Sequence, residues 1–225
     1  MSAVVYPMNT PAEILAGVRQ ARSAVARGKL VCVPTDTGYA LVADAFNPAA
    51  VDRLRQARQM PERAPVGVFV PTPEALEAVA SEVAPEVRTL SDKFWPGPLT
   101  LIVPAGDSLA WDLGDDQGTV ATRMPGHTVA LELVRETGPL AQSAARYGSQ
   151  KSLVSAAGVA KRFGDDVAVV LAPGRERPGA AASTVVDATA LENLGGQLTI
   201  RRHGAVREAE LFATLQAEKF TSTNG

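Results

Sequence analysis

Val33-Pro34-Thr35-Asp36-Thr37-Gly38-Tyr39-Ala40-Leu41 follows a short apolar, β-prone run at residues 29–33 and leads into a second apolar patch, Leu41-Val42-Ala43. Two threonine hydroxyls, a carboxylate, a phenol and a glycine thus stand together between hydrophobic flanks. A turn of this content offers donors and acceptors at a strand end, where open α/β sheets hold their ligands. Taken alone, the same residues equally read as an Asx-type or Ser/Thr-type turn whose hydroxyls bond their own backbone.

On the N-terminal side, Thr10-Pro11-Ala12-Glu13 reads as a helix start. Threonine is at the N-cap, proline at N1 and glutamate at N3, a capping box. Ile14, Val18, Ala21 and Val25 then share one helical face, and Gly28 ends the helix. Residues 30–33 form the first expected strand. Asn47-Pro48 opens a second helix with Val51, Leu54 and Ala57 inward. The β-branched run 66–70 predicts a buried strand. Thr72-Pro73-Glu74 starts a third helix, and Pro85 lies in the first turn of a fourth.

Further along, Phe94-Trp95-Pro96-Gly97-Pro98 is a rigid turn feeding a strand at 99–103. More strands are expected at 120–123, 140–143, 167–171, 183–186 and 198–202. Helices are expected over 128–136, 153–163 and 207–216, with a polar, frayed tail at 219–225. Helices lie between several strands, while residues 99–123 suit an antiparallel pair. The pattern predicts one α/β domain, a twisted mixed sheet flanked by helices. The domain is expected over residues 1–208, with 209–225 a helix end and tail. The Pro-, Gly- and Arg-rich loop 172–180 suits a mobile lid or an idle surface loop.

The 225 residues are 46% hydrophobic and carry 22 Lys+Arg against 24 Asp+Glu, a net charge of −2. This gives one domain with a sizeable core and no global attraction to nucleic acid or an anionic membrane. The single cysteine, Cys32, sits in an apolar run and excludes a disulfide framework or cysteine-based metal site. It reads as a small buried hydrophobe suited to a reducing cytoplasm. No signal peptide is expected, and no apolar run approaches the roughly 18 residues of a membrane span. There is no Walker loop, dinucleotide fingerprint or Gly-x-Ser-x-Gly elbow, and the two histidines, His127 and His203, lack metal-ligand spacing.

Separate polar clusters remain, each at a strand end: 35–39, Thr100, Arg123, Ser143, Ser183-Thr184 and Arg202. Small hydroxyls and guanidinium groups suit phosphate and carboxylate oxygens. Such a site works by positioning and charge neutralisation rather than through a protein nucleophile.

The same residues carry a resemblance. Pro34-Thr35-Asp36-Thr37-x-Tyr39-x-Leu41 is similar to the signature of the YrdC-like family, whose members include the L-threonylcarbamoyladenylate synthases. Trp95-Pro96-Gly97-Pro98-Leu99-Thr100 resembles the family's Pro-Gly-Pro-Leu-Thr turn, and Thr122-Arg123-Met124-Pro125 its Arg-x-Pro strand end. Gln142-Ser143-Ala144, Ser183-Thr184-Val185-Val186-Asp187 and Arg202-His203-Gly204-Ala205 resemble the later blocks in order. The match runs from about residue 11 to residue 206 and is similar to the short, single-domain form.

The resemblance implies a concave basic cavity and a nucleotidyltransferase. ATP, L-threonine and bicarbonate would give threonylcarbamoyl-AMP and pyrophosphate, for the N6-threonylcarbamoyl modification of tRNA adenosine 37. It implies Thr35, Tyr39 and Arg58 as catalytic, with Thr37 beside Thr35 and Tyr39 at the amino-acid and carbamoyl end. Ser143, Ser183 and Arg202, with Arg58, would face the nucleotide, and Thr100 and Arg123 would support the cavity. Mg²⁺ is expected with ATP rather than on protein ligands. tRNA, or the downstream threonylcarbamoyl transferase complex, is the further partner implied; a membrane is not. The net charge and the 5% aromatic content lend RNA binding no support.

Three motifs depart from the family pattern. Its Lys-x-Arg reads Arg58-Gln59-Met60, so the second cation becomes a thioether; its Ser-Ala-Asn reads Ser143-Ala144-Ala145; its Tyr-Gly reads Tyr39-Ala40, after Gly38 in place of a bulky apolar residue. One lost charge-assisted hydrogen bond is worth on the order of 1.5–3 kcal/mol. Arg55, Arg63 and Arg146 are the arginines whose reach could compensate. The departures leave two alternatives: an enzyme of another carbamoyl or acyl adenylate, or a catalytically weak paralogue that binds nucleotide or RNA.

Overall fold

The structure is a computed structural model that describes residues 2–106, 109–115, 117–174, 180–192 and 196–222. Ten strands form one sheet: β1 (Val4–Met8), β2 (Leu30–Thr35), β3 (Gly38–Asp44), β4 (Gly67–Phe69), β5 (Leu99–Pro104), β6 (Thr119–Arg123), β7 (Leu140–Ala144), β8 (Val167–Pro173), β9 (Thr184–Asp187) and β10 (Thr199–Arg202). Seven α-helices accompany them: α1 (Pro11–Ala26), α2 (Pro48–Ala57), α3 (Leu76–Val79), α4 (Pro85–Phe94), α5 (Thr128–Thr137), α6 (Ala156–Phe163) and α7 (Glu208–Ser222). The strand order is β1-β8-β2-β3-β7-β4-β6-β5-β9-β10. β1–β8, β2–β8, β4–β6 and β5–β9 are parallel, and the other neighbours are antiparallel. The sheet is therefore mixed and twisted, as the sequence predicts.

The helix starts follow their caps. Thr10 Oγ1 accepts from Glu13 N (3.2 Å), and the Glu13 carboxylate accepts from Thr10 N (3.0 Å), the expected capping box of α1. Asn47 caps α2 through Ala50 N, and His127 Nδ1 accepts from Val129 N at the head of α5. Helix α6 starts at Ala156, later than the expected 153, because Ser155 caps it. Leu153 is instead spent on backbone pairing: its N–H donates to Ala145 O (2.7 Å) and its carbonyl accepts from Tyr39 N (3.1 Å).

The alternation along β2 and β3 sorts their side chains onto two cores. Leu30, Cys32, Tyr39, Leu41 and Ala43 join one core with Val51 and Leu54 of α2, Leu90 of α4, Phe163 of α6 and Leu211 of α7. Val31, Val33, Ala40 and Val42 join the other with Val18, Ala21 and Val25 of α1 and Val129 and Leu133 of α5. Period-two packing on both faces of one strand is the signature of a buried sheet. α1 covers β1, β8 and β2, so this second face is roofed at one end of the sheet. Register carries the same face onward, from Val42 to its partner Gln142, then to Gly67, which pairs with Gln142. There the roof ends and a cleft opens over the strands.

Strand β1 was not expected from the sequence. The third expected helix is only a 3₁₀ turn at Pro73–Ala75 followed by the four-residue α3. The domain boundary expected at 208 falls on the first residue of α7, whose Leu211 is 3% exposed and part of the first core. The helix continues through residue 222, into the stretch expected as a tail. The centre of the loop 172–180, residues 175–179, lies outside the described residues. No described helix is long and apolar enough to cross a membrane.

Phe163 is fully buried where α6 meets the sheet. Phe163→Ala is expected to lower the unfolding free energy by about 3–5 kcal/mol, measured by urea denaturation. Leu15→Ala, at a side chain 60% exposed, is expected to change it by less than about 0.5 kcal/mol.

Candidate functional site

The quoted signature folds into a tight hairpin. Thr35 pairs with Gly38, so only Asp36 and Thr37 turn the chain between β2 and β3. Pro34 lies beyond Cys32, the last β2 residue paired with β8, so its missing N–H costs that ladder nothing. Thr35 Oγ1 donates to Gly38 O (2.7 Å) and accepts from Thr37 N (3.2 Å). Gly38 has φ +117°, and a Cβ there would meet Leu153 O at 3.2 Å. That accounts for a glycine where the family pattern has a bulky residue.

The turn's carboxylate looks inward. Asp36 Oδ1 accepts from Arg123 Nη2 (2.5 Å) and from Gly126 N (2.8 Å). Arg123, at the end of β6, also donates to Thr37 Oγ1 (2.9 Å) and to Gly97 O (2.9 Å). The two side chains are 14% and 6% exposed. Burial and the charge of Arg202 pull the Arg123 pKa down, and Asp36 opposes that. One guanidinium thus ties the signature hairpin, the Trp95–Pro98 turn and the end of β6 together.

Beyond this knot lies a cleft of about 370 Å³. Its floor is the sheet: Gly67 of β4, Ala121 of β6, Gln142 of β7, Thr100 of β5 and Val185 of β9. On one wall Thr100 Oγ1 and Ser183 Oγ are 2.9 Å apart, and Arg202 Nη2 donates to Ser183 Oγ (2.8 Å). Gly204 makes this possible, because a Cβ there would stand 2.3 Å from Ala182 O and 2.5 Å from Thr184 N. Thr184 itself clamps the next turn, donating to Val206 O and accepting from Val206 N.

On the opposite wall Arg58 Nε donates to Ser143 Oγ (3.0 Å), and Arg58 Nη1 donates to Arg146 O. The Arg58 pKa is pushed down to about 10, first by burial and then by the charge of Arg146. Arg202 is pushed down for the same two reasons. Cations press on one another across the cleft, and no carboxylate is among its described lining residues.

Of the expected site residues, Thr37, Arg58, Thr100, Arg123, Ser143, Ser183 and Arg202 line the cleft. Thr35 and Tyr39 stand behind it. Thr35 organises the hairpin, and Tyr39, 4% exposed, packs in the first core. Asp36, Arg146, Gln142 and Ser152 were not among the expected site residues. Asp36 anchors Arg123, and the other three line the cleft.

The departures at Met60 and Ala145 fall at the Arg58 wall. Met60 Sδ is 3.8 Å from Ser143 Oγ, and Ala145 is fully buried with its N–H donating to Tyr39 O. Of the three compensating arginines weighed from sequence, two are committed elsewhere. Arg55 is held by Asp52 and by the carbonyl of Ala64, and Arg63 by Asp112 and Asp115. Arg146 alone of the three lines the cleft.

Asp36→Asn removes the charge and keeps the shape, leaving Arg123 buried without its counter-ion. It is expected to destabilise the fold by about 3–5 kcal/mol in chemical denaturation. Arg63→Ala, which breaks exposed ion pairs, is expected to cost under about 1 kcal/mol.

A family model named Sua5/YciO/YrdC and described as telomere recombination matches residues 23–204. A Mycobacterium tuberculosis (strain ATCC 25618 / H37Rv) protein named "Putative threonylcarbamoyl-AMP synthase" is 43% identical over 173 residues, 77% of this chain and 79% of its own. The Pyrococcus abyssi threonylcarbamoyl-AMP synthase is 36% identical over 173 residues, 76% of this chain and 51% of that protein. The crystal structure of P. abyssi Sua5 complexed with L-threonine matches with a TM-score of 0.84 at 31% identity. That match covers 94% of this chain and 61% of the archaeal one. E. coli YciO, at 20% identity and a TM-score of 0.78, shares the fold over 93% of this chain and 99% of its own. With its signature hairpin, its cationic cleft and these relatives, the chain belongs to the Sua5/YciO/YrdC family.

Proposed function

We propose that this chain is a threonylcarbamoyl-AMP synthase. It joins L-threonine, bicarbonate and ATP into threonylcarbamoyl-AMP with release of pyrophosphate, in the cytoplasm, where the product serves the modification of tRNA adenosine 37. The observation that carries the reading is the convergence of Arg58, Arg123, Arg146 and Arg202 with Thr100, Ser143 and Ser183 on one cleft whose described lining residues include no carboxylate. Relatives carrying the synthase name support it, as does the L-threonine bound to a family member of the same fold. The single cysteine, Cys32, is buried, in keeping with a reducing compartment.

The chemistry asks little covalent work of the protein. The neutral threonine amine attacks bicarbonate and water leaves, giving a carbamate; a carbamate oxygen then attacks the α-phosphorus of ATP as the bond to pyrophosphate breaks. Nucleophile and electrophile are both anionic, so the main obstacle is their repulsion. Guanidinium groups fixed in a part-buried cleft offset that repulsion without reorganising during the reaction. Hydroxyls of Thr100, Ser143 and Ser183, already aligned by Arg202 and Arg58, hold oxygens without filling the space of the substrates. Side chains placed in advance also convert an encounter of three reactants into a nearly unimolecular step.

The lining residues do not fit a protein-held metal. Among the described residues the lining includes no aspartate or glutamate, and no group of three His, Cys, Asp or Glu able to hold an ion occurs. Mg²⁺ accordingly belongs to the substrate, bound by ATP's own phosphate oxygens and water. The departures at Met60 and Ala145 raised two alternatives, another adenylate or a weak nucleotide-binding paralogue. Neither has an observation in its favour.

The test is pyrophosphate release from MgATP and bicarbonate with and without L-threonine, with mass analysis of the nucleotide product. Threonine-dependent release accompanied by threonylcarbamoyl-AMP is the expected result. Release indifferent to threonine, or ATP binding without turnover, would overturn the proposal.

A further inference from the structure

Among the described residues four guanidinium groups line the cleft, and three are already engaged. Arg123 holds Asp36, Thr37 and Gly97. Arg202 holds Ser183 through both its backbone and its hydroxyl oxygen. Arg58 holds Ser143 and the backbone carbonyl of Arg146. The Arg146 guanidinium, exposed on the cleft wall, has no hydrogen bond or ion pair among the described residues.

Its backbone, by contrast, is fixed. Arg146 N donates to Ala144 O (2.8 Å), its carbonyl accepts from Arg58, and Gly148 N donates to Arg58 O (3.1 Å). Next to it Tyr147 accepts from Gln59 and lies under the Arg162 guanidinium, 3.4 Å from the ring centre. A long cationic side chain therefore hangs from a rigid base. It lies within Coulomb range of Arg58 and Arg202, and it disfavours the charge of both. Three like charges facing one space, with no carboxylate among its described lining residues, favour a ligand that carries several negative charges. Threonine brings one carboxylate and an ammonium that this wall repels. A polyphosphate brings several negative charges and no cation.

We propose that Arg146 is a ligand-contacting residue that closes on the polyphosphate part of the nucleotide, supplying from the loop after β7 the cation that position 60 lacks. This rests on the synthase reading for the identity of the nucleotide and on geometry for the class of ligand. The side chain acts as a movable counter-charge and Arg58 as the fixed one. Its contribution scales with the number of phosphates.

The full chain is titrated by calorimetry with MgATP, AMP and inorganic pyrophosphate, without threonine or bicarbonate, as wild type, Arg146→Ala, Arg146→Lys and Arg63→Ala. Arg146→Ala is expected to weaken ATP and pyrophosphate by roughly 10- to 100-fold and AMP by less than about threefold. Lysine should recover part of the loss, the salt dependence of ATP binding should flatten, and Arg63→Ala should bind like wild type. An unchanged melting temperature separates the effect from folding, since the side chain is exposed. Equal weakening of ATP and AMP, or no change in either, overturns the proposal. Wild-type protein that ignores ATP but binds pyrophosphate through Arg146 overturns the synthase reading and keeps this one. Wild-type protein that binds neither overturns both.

Discussion

The ion pair between Asp36 and Arg123 is the constraint on which the rest of the site depends. Each partner is nearly removed from water, so neither is tolerable alone. Their bond fixes the direction of the signature hairpin relative to β6. Arg123 further grips Gly97 O, and Asp36 grips Gly126 N. The turn before β5 and the turn after β6 are thereby held against the β2–β3 hairpin, although 87 residues separate the two charges. Thr37 and Thr100 take their places on the cleft because of this knot. A buried salt bridge is a poor source of net stability, but it is an effective way to specify one arrangement over near alternatives.

Around that neutral pair the remaining cations stay unbalanced. Arg58 is buried and Arg202 lies at the exposed rim, yet both lose some of their preference for the charged form and spend donors on serine oxygens that face the same space. The protein holds an electrostatic debt in its unliganded form, and an anionic ligand discharges it. The same hydrogen bonds that cost solvation also fix Ser143 and Ser183 in a single orientation. Affinity and orientation therefore come from one set of contacts.

Much of this was legible in the sequence, and the failures have identifiable causes. Caps with unambiguous chemistry, Thr10 with Glu13 and Asn47 with Pro48, gave true helix starts. Strand β1, Val-Val-Tyr-Pro-Met, was missed because it is short, contains proline and is defined only by its distant partner β8. Leu153 looks helical by composition but is claimed by backbone bonds to Tyr39 and Ala145, a tertiary demand that overrides propensity, and the helix waits for its cap at Ser155. Seven of the nine expected site residues reached the cleft because their motifs end strands on one face. Tyr39 and Thr35 belong to the same motif, yet alternation along β3 sends Tyr39 into the core while Thr35 bonds its own turn. Arg146 was only one of three arginines within reach; choosing it over Arg55 and Arg63 required seeing that Asp52, Asp112 and Asp115 had taken the others.

The floor of the cleft is strand rather than loop. Arg123 faces the ligand space, while its neighbour Thr122, fully buried, bonds Leu101 O on the same ladder. A single inserted residue in β6 would exchange these two, sending a guanidinium into hydrocarbon and a hydroxyl into the bed. Point changes at Ala121 or Gln142 would reshape the bed's surface, whereas a Cβ at Gly67 would press to 2.6 Å from Gln142 Nε2 and 3.0 Å from Ala121 O. The cleft of this chain can therefore be refitted one side chain at a time, while a one-residue insertion or deletion in β4, β6 or β7 would turn every later side chain of that strand to the other face.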